Sequence, residues 1–489
     1  MDEQHVDVII VGAGLSGIGA AYRLQEQCPG KTYALLESRE AVGGTWDLFR
    51  YPGIRSDSDM YTLSFPFKPW TNTKAIADGS DIRDYIDEAA DEFGIRDHIR
   101  FGHRVVRAAW SSEEARWTVT STVGDQTVVQ TASFLYLCSG YYSYDTGFTP
   151  DFPGLDTFEG QVVHPQFWPA DLQYEGKEVV VIGSGATAVT LIPSMADDVS
   201  HITMLQRSPT YITTLPSKDT LAPLIRRLLP AGLAHRVTRR KNASVAIGFY
   251  LFCRRFPQLA RRILLARAKR QLPQGTDMRH FTPRYDPWDQ RLCVVPDGDL
   301  FRSIRRGKAS IVTDTIARFT PTGIDLDSGE HLDADIVVTA TGLQVVALGQ
   351  IDFEVDGRAI DAHELYVYKG LMFSGMPNFA WCVGYTNASW TLRADLSSQY
   401  VCRLINHLDA TGHDFGMPDP RGAAGQAAPI LDLSSGYVTR VADLLPQQGS
   451  TSPWTIRQNW FLDSRDMKHT DLDQEMVFGR ATVPAAVPA

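Results

Sequence analysis

Cysteine is scarce in the chain: Cys28, Cys138, Cys253, Cys293, Cys382 and Cys402 are scattered over 489 residues, with no C-x-x-C and no other paired spacing. That argues against a disulfide framework or a cysteine zinc site and points to reduced thiols in a cytoplasmic protein. No uninterrupted apolar run reaches the roughly 18 residues needed to cross a bilayer; Val245–Cys253 is the nearest and is too short. The opening MDEQHVDVIIVGAG has neither a basic stretch nor a small-residue cleavage site, so no secretory leader is expected. A formal charge of −10 disfavours general nucleic-acid binding, which needs a basic surface. What remains is ordinary globular usage, 44% hydrophobic and 21% charged, in a chain long enough for two or three domains of about 100–200 residues.

One further absence is local. Between Asp219 and Asp277 there is no acidic residue, while thirteen arginines and lysines fall among Leu, Ile, Val and Phe, as in LARRILLARAKRQL. Amphipathic helices are expected in segment 220–276. Their ordinary reading is a solvated face, or a field that draws in an anionic cofactor. The alternative is peripheral association with an anionic membrane.

Glycine-centred units carry the chemistry. The run VDVIIV is followed by GAGLSG, by IGAAYRLQEQ with helical spacing, and by TYALLE, which ends at Glu37. In that turn Gly12 permits a tight bend, Gly14 lets backbone approach a pyrophosphate, and Gly17 lets the helix pack close to the strand; Glu37 is suited to ribose hydroxyls. The plan returns at EVVVIGSGATAVTL, where Gly183, Ser184, Gly185, Ala186, Thr187 and Ala188 form the second turn. The strand after it ends not in an acid but in Arg207 and Ser208, a pair suited to a 2′-phosphate and hence to NADPH. An acidic ribose site and a basic phosphate site in one chain fit FAD plus NADPH. No C-x-x-x-x-C pair is present, which excludes a flavin disulfide reductase.

The fold class expected is α/β, with two Rossmann-like dinucleotide-binding domains and a helical insertion. The boundaries are 1–145 for the first part of the FAD-binding domain and 146–214 for the first part of the NADPH-binding domain, with a hinge linker at 146–176. The insertion is 215–289, the NADPH-binding domain resumes at 290–342, and 343–489 completes the FAD-binding domain and ends in an Ala/Pro-rich tail expected to be disordered.

Three patterns give a family resemblance. FEGQVVHPQFWP meets F-x-G-x-x-x-H-x-x-x-W-P through Phe158, Gly160, His164, Trp168 and Pro169. Gly43, Gly44, Trp46, Tyr51, Pro52, Gly53 and Asp57 meet G-G-x-W-x-x-x-x-[FY]-P-G-x-x-x-D, and Ala340, Thr341 and Gly342 form an Ala-Thr-Gly end. The chain therefore resembles the class B flavoprotein monooxygenases and, within them, the type I Baeyer-Villiger monooxygenases. The resemblance implies FAD, NADPH and O2, a peroxyflavin, and a small ketone or sulfide as substrate. It implies catalytic roles for Arg291 and for Asp57 beside it at the flavin, and FAD contacts for Ser16, Gly44, Thr45, Trp46 and Val105. For Trp46 and Val105 core packing serves as well. Many relatives carry lysine just before the arginine, whereas this chain has Gln290. His164, in the connection between the nucleotide domains, is read as a hinge pin, and a heteroatom monooxygenase without ketone activity stays open.

Overall fold

The computed structural model describes residues 4–431 and 434–482; most of the Ala/Pro-rich tail lies outside them. Strand Gln4–Val11 pairs in parallel with Tyr33–Leu36 on one side and with Gln126–Leu137 on the other. Val8, Ile9 and Ile10 are at most 1% exposed, as a strand covered on both faces requires. Helix Leu15–Gln27 makes the crossover and packs against helix Trp390–Thr411 from the far end of the chain. Strand Phe379–Trp381 pairs with the end of Gln126–Leu137, so residues after Gly342 return to complete the first sheet. The first half of Gln126–Leu137 instead joins an antiparallel meander with Arg116–Val123 and Arg104–Ser111.

A second sheet has five strands, all parallel, in the order Ala309–Thr313, His201–Gln206, Glu178–Ile182, Ile336–Thr339, Gln161–Val163. The chain crosses between the two sheets along Tyr142–Gly147 and again along Leu343–Val345, and these crossings pair as an antiparallel ribbon. His164 presses on that ribbon: a Cβ on Gly147 would lie 2.0 Å from its Cε1. Its Nδ1 accepts from the Gln166 amide at 3.2 Å. Phe158 and Trp168, from the same stretch, pack on Phe319 and Tyr174 of the second domain.

The acid-free segment folds as helices Leu221–Leu228, Ala231–Arg255 and Pro257–Gln271. It is not uniformly a solvated face. Arg239 is 5% exposed and donates to the carbonyl oxygens of Thr62 and Ser64 at 2.8 and 2.6 Å, capping the short helix Met60–Leu63. Its burial pulls its pKa below the usual arginine value. Arg226 donates to the carbonyls of Trp70 and Thr71, Lys241 pairs with Asp219 at 2.6 Å, and Arg254 with Asp289 at 2.8 Å. Arg239 and Arg226 thus staple the insertion to the body of the protein, while the two ion pairs brace it internally. No helix among the described residues is long and apolar enough to cross a membrane.

Candidate active site

Both glycine turns open onto one continuous cavity of about 700 Å³. At the first turn Gly12 has φ +103°, and a Cβ there would sit 2.8 Å from the Cys138 carbonyl oxygen. Gly14 faces Gly44 across a slot: a Cβ on Gly44 would come 3.1 Å from the Gly14 Cα. Helix Leu15–Gln27 begins here, so its first amides and the positive end of its dipole face the slot. Gly17 does not line the cavity; a Cβ on it would stand 1.8 Å from the Gly12 carbonyl oxygen, so its part is to hold the helix against the turn. Glu37 lies in the cavity wall, 4% exposed, and its Oε2 accepts from the Ala13 amide at 2.7 Å and Oε1 from the Arg39 amide at 2.9 Å. Burial pushes its carboxyl upward despite those bonds. The Ser16 hydroxyl accepts from the Trp390 indole at 2.8 Å, and the Thr45 and Tyr142 hydroxyls share a 2.7 Å bond. Trp46 and Val105 serve both the wall and the core.

The second turn repeats the construction. Gly183 has φ +133°, and a Cβ on it would meet the Ala340 carbonyl oxygen at 2.3 Å. Cys138-Ser139-Gly140 in the first domain and Ala340-Thr341-Gly342 in the second thus cover their turns alike. Ser184 donates to the Ser208 carbonyl at 3.0 Å, which ties the turn to the end of the next strand. Gly183 to Thr187, Arg207 and Ser208 line the cavity, whereas Ala188 is fully buried behind it, as Gly17 is in the first turn. Arg207 is exposed to the cavity and pairs with no carboxylate among the described residues.

The segment from Gly43 to Asp57 spans the two turns. It starts at the Gly14 slot, and at Gly53 (φ +74°) it passes so close to the second-domain helix Ala186–Met195 that a Cβ would strike Ser194 Oγ at 1.7 Å. It ends at Asp57, whose Oδ2 accepts from Arg291 Nη2 at 2.6 Å. The pair stands in the cavity wall, with 38% of the arginine and 36% of the aspartate side chain still accessible. The Asp57 carboxylate raises the Arg291 pKa, so the guanidinium stays charged throughout the working range.

Three aromatic residues at this place have no sequence signature. Tyr141 and Tyr437 border Arg291, and Tyr141 stacks on Trp390 with ring centroids 5.6 Å apart. Burial pushes the Tyr141 phenol up to about 12. Trp390 lies in GYTNASW, a stretch visible in the sequence but without a role until the C-terminal helix is seen to pack on the first turn.

Comparison with known proteins agrees with this geometry. A model of the family described as flavin-binding monooxygenase-like matches residues 6–221. The chain is 54% identical over 474 residues to the FAD-containing monooxygenase EthA of Mycolicibacterium smegmatis, covering 96% of each chain. It is 48% identical over 474 residues to the probable FAD-binding monooxygenase AlmA of Acinetobacter baylyi, covering 96% of this chain and 95% of the other. In fold it is similar to an oxidized steroid monooxygenase bound to NADP, with a TM-score of 0.77 at 24% identity, covering 98% of this chain and 100% of that one. A chain with two glycine turns on one cavity, and with relatives of this identity along nearly its whole length, belongs to the flavin-binding monooxygenase-like family.

Proposed function

We propose that the protein is an FAD-dependent, NADPH-consuming Baeyer-Villiger monooxygenase that inserts one atom of O2 beside a ketone carbonyl to give an ester, and that it also oxidises sulfur in sulfides or thioamides. The observation that carries this reading is the Asp57–Arg291 pair, 2.6 Å apart, in a cavity joining two dinucleotide turns. The residues present fit both cofactors. The Gly14–Gly44 slot, the amides that open helix Leu15–Gln27 and the Glu37 carboxylate would hold FAD; the Gly183 turn with Arg207 and Ser208 would hold NADPH. FAD reduced by NADPH supplies the activated oxygen. In balance, ketone, O2, NADPH and a proton become ester, NADP+ and water.

Arg291 does the electrostatic work. Attack on a carbonyl carbon builds negative charge on oxygen, and a guanidinium already oriented by Asp57 meets that charge without having to reorganise. Oxidation of a sulfide builds no such oxyanion on the substrate, so it draws less on Arg291. The test is a panel of simple ketones and sulfides with the FAD-loaded enzyme, NADPH and oxygen. Esters and sulfoxides are expected; sulfoxides with no ester across a wide ketone set would leave only a heteroatom monooxygenase.

We further infer that the insertion docks on an anionic bilayer. Ten of the seventeen large hydrophobic side chains that are exposed among the described residues fall between Leu221 and Ile263, which concentrates exposed apolar surface in the insertion. On helix Ala231–Arg255 the exposed Leu233, Val237, Arg240, Leu251 and Arg255 recur at the spacing of one face. Arg227, Arg236, Arg240 and Arg262 are exposed and pair with no carboxylate among the described residues. Each such cation contributes about 1 kcal/mol at a negatively charged surface, and the leucines add apolar burial. The full chain should sediment with phosphatidylglycerol-containing vesicles at low salt and much less with neutral phosphatidylcholine vesicles. A Leu224→Glu, Leu228→Glu double variant should stay in solution with its flavin intact. Equal absence of binding to both vesicles at low salt would contradict docking, as would a self-associated protein that the double variant turns into a monomer.

A further inference from the structure

The phosphate end of the second turn has a cation that the sequence does not signal. Arg440 lines the same cavity as Arg207. Its guanidinium lies 3.4 Å from the centroid of the Phe148 ring, and its Nη2 comes within 3.9 Å of where a Cβ on Gly342 would sit, on the Ala-Thr-Gly end that covers the Gly183 turn. No carboxylate pairs with either arginine among the described residues. Burial, and then the like charge of Arg207, pull the Arg440 pKa below the usual arginine value. Two guanidiniums that line one cavity without a carboxylate partner make a positive local field for an anion. Stacking on Phe148 holds the Arg440 plane in place, so little freedom is left to lose when an anion arrives.

The surrounding backbone supports the placement. The Ser434 amide donates to the Asp289 carbonyl at 2.8 Å, and the Gln290 amide group reaches the Ser434 carbonyl at 3.4 Å. The segment carrying Ser435, Gly436, Tyr437 and Arg440 is therefore tied to the segment carrying Arg291. Gln290 itself brings no charge, and Arg440 brings a positive charge to the cavity from a different part of the chain.

We propose that Arg440 is the second cation of the 2′-phosphate site, clamping that group together with Arg207 and so setting the preference for NADPH over NADH. The proposal rests on reading the Gly183 turn as the NADPH turn. Its test is calorimetric binding of NADP+ and NAD+ to the FAD-loaded wild type and to R440Q, R440K and R207Q, with 2′,5′-ADP and AMP as fragments that differ by the phosphate alone.

Loss of one charge-assisted contact should weaken NADP+ and 2′,5′-ADP binding to R440Q by about 10- to 100-fold, leave NAD+ and AMP little changed, and place R440K, which keeps the charge but not the stacked plane, between R440Q and wild type. Equal weakening of NADP+ and NAD+ would overturn the proposal, since Arg440 would then serve a part common to both. Unchanged NADP+ binding by R440Q, with R207Q weakened, would overturn Arg440 alone. A wild type that binds NAD+ as tightly as NADP+ would instead remove the NADPH reading itself.

Discussion

Replacing Arg291 with alanine should lower ester formation by roughly 10²- to 10³-fold, the usual effect of removing one preorganised charge from a site of developing oxyanion, while NADPH still bleaches the flavin. The separation of the two effects follows from geometry. Arg291 meets Asp57 at 2.6 Å in the cavity wall, and neither residue belongs to the glycine turns suited to gripping the dinucleotides. Alanine also leaves the Asp57 carboxylate unpaired, a negative charge where negative charge is about to grow, which adds to the loss. Arg291→Lys keeps the charge but not the planar fork, and its activity should lie between the two. Anaerobic stopped-flow absorbance reads flavin reduction, and ester yield per NADPH reads oxygen transfer. Full ester formation by Arg291→Ala would remove the catalytic assignment.

Gly17→Ala should yield protein with little bound flavin and a lowered melting temperature. The added Cβ would stand 1.8 Å from the Gly12 carbonyl oxygen, and a backbone carbonyl cannot swing aside as a flexible side chain would. Helix Leu15–Gln27 must shift outward, against helix Trp390–Thr411 packed on its other side, and overpacking of that kind costs about 1–3 kcal/mol or more. Gly14→Ala is the control. Its Cβ would lie 3.5 Å from the Gly44 Cα, an ordinary contact, so the apoprotein should melt near the wild-type temperature while the narrowed slot weakens FAD. Flavin absorbance per protein and thermal unfolding separate the two outcomes. A Gly17→Ala protein as yellow and as stable as wild type would contradict the close packing of strand and helix.

What was legible in the sequence was what local rules govern. Strand, glycine turn and helix announce themselves by spacing, and Glu37 and Arg207 stand out because they end the strands that follow each turn. The stretch FEGQVVHPQFWP marked a connection between domains, and His164 does press on the ribbon that joins the two sheets. Other parts depended on partners far away in the chain. Arg239 and Arg240 are adjacent in an unbroken basic run, yet one is buried on the carbonyls that end helix Met60–Leu63 and the other faces solvent. Only the docking of the insertion distinguishes them. Tyr437 and Arg440 follow the Ala-Thr-Gly end by about a hundred residues and belong to no periodic pattern. They reach the cavity because the C-terminal part of the chain folds back over the second turn. The third motif positions, Gly17 and Ala188, lie behind the turns and do not line the cavity, and for Gly17 this is the close helix packing that the motif spacing implies.

The central claim is oxygen insertion next to a carbonyl, and the most direct measurement is mass spectrometry of the product formed from an unlabelled ketone under ¹⁸O₂. An ester carrying a single ¹⁸O in its bridging position, formed with consumption of one NADPH, is the result expected of the Asp57–Arg291 site. NADPH consumption and sulfoxide labelling with no labelled ester from any ketone tried would contradict it.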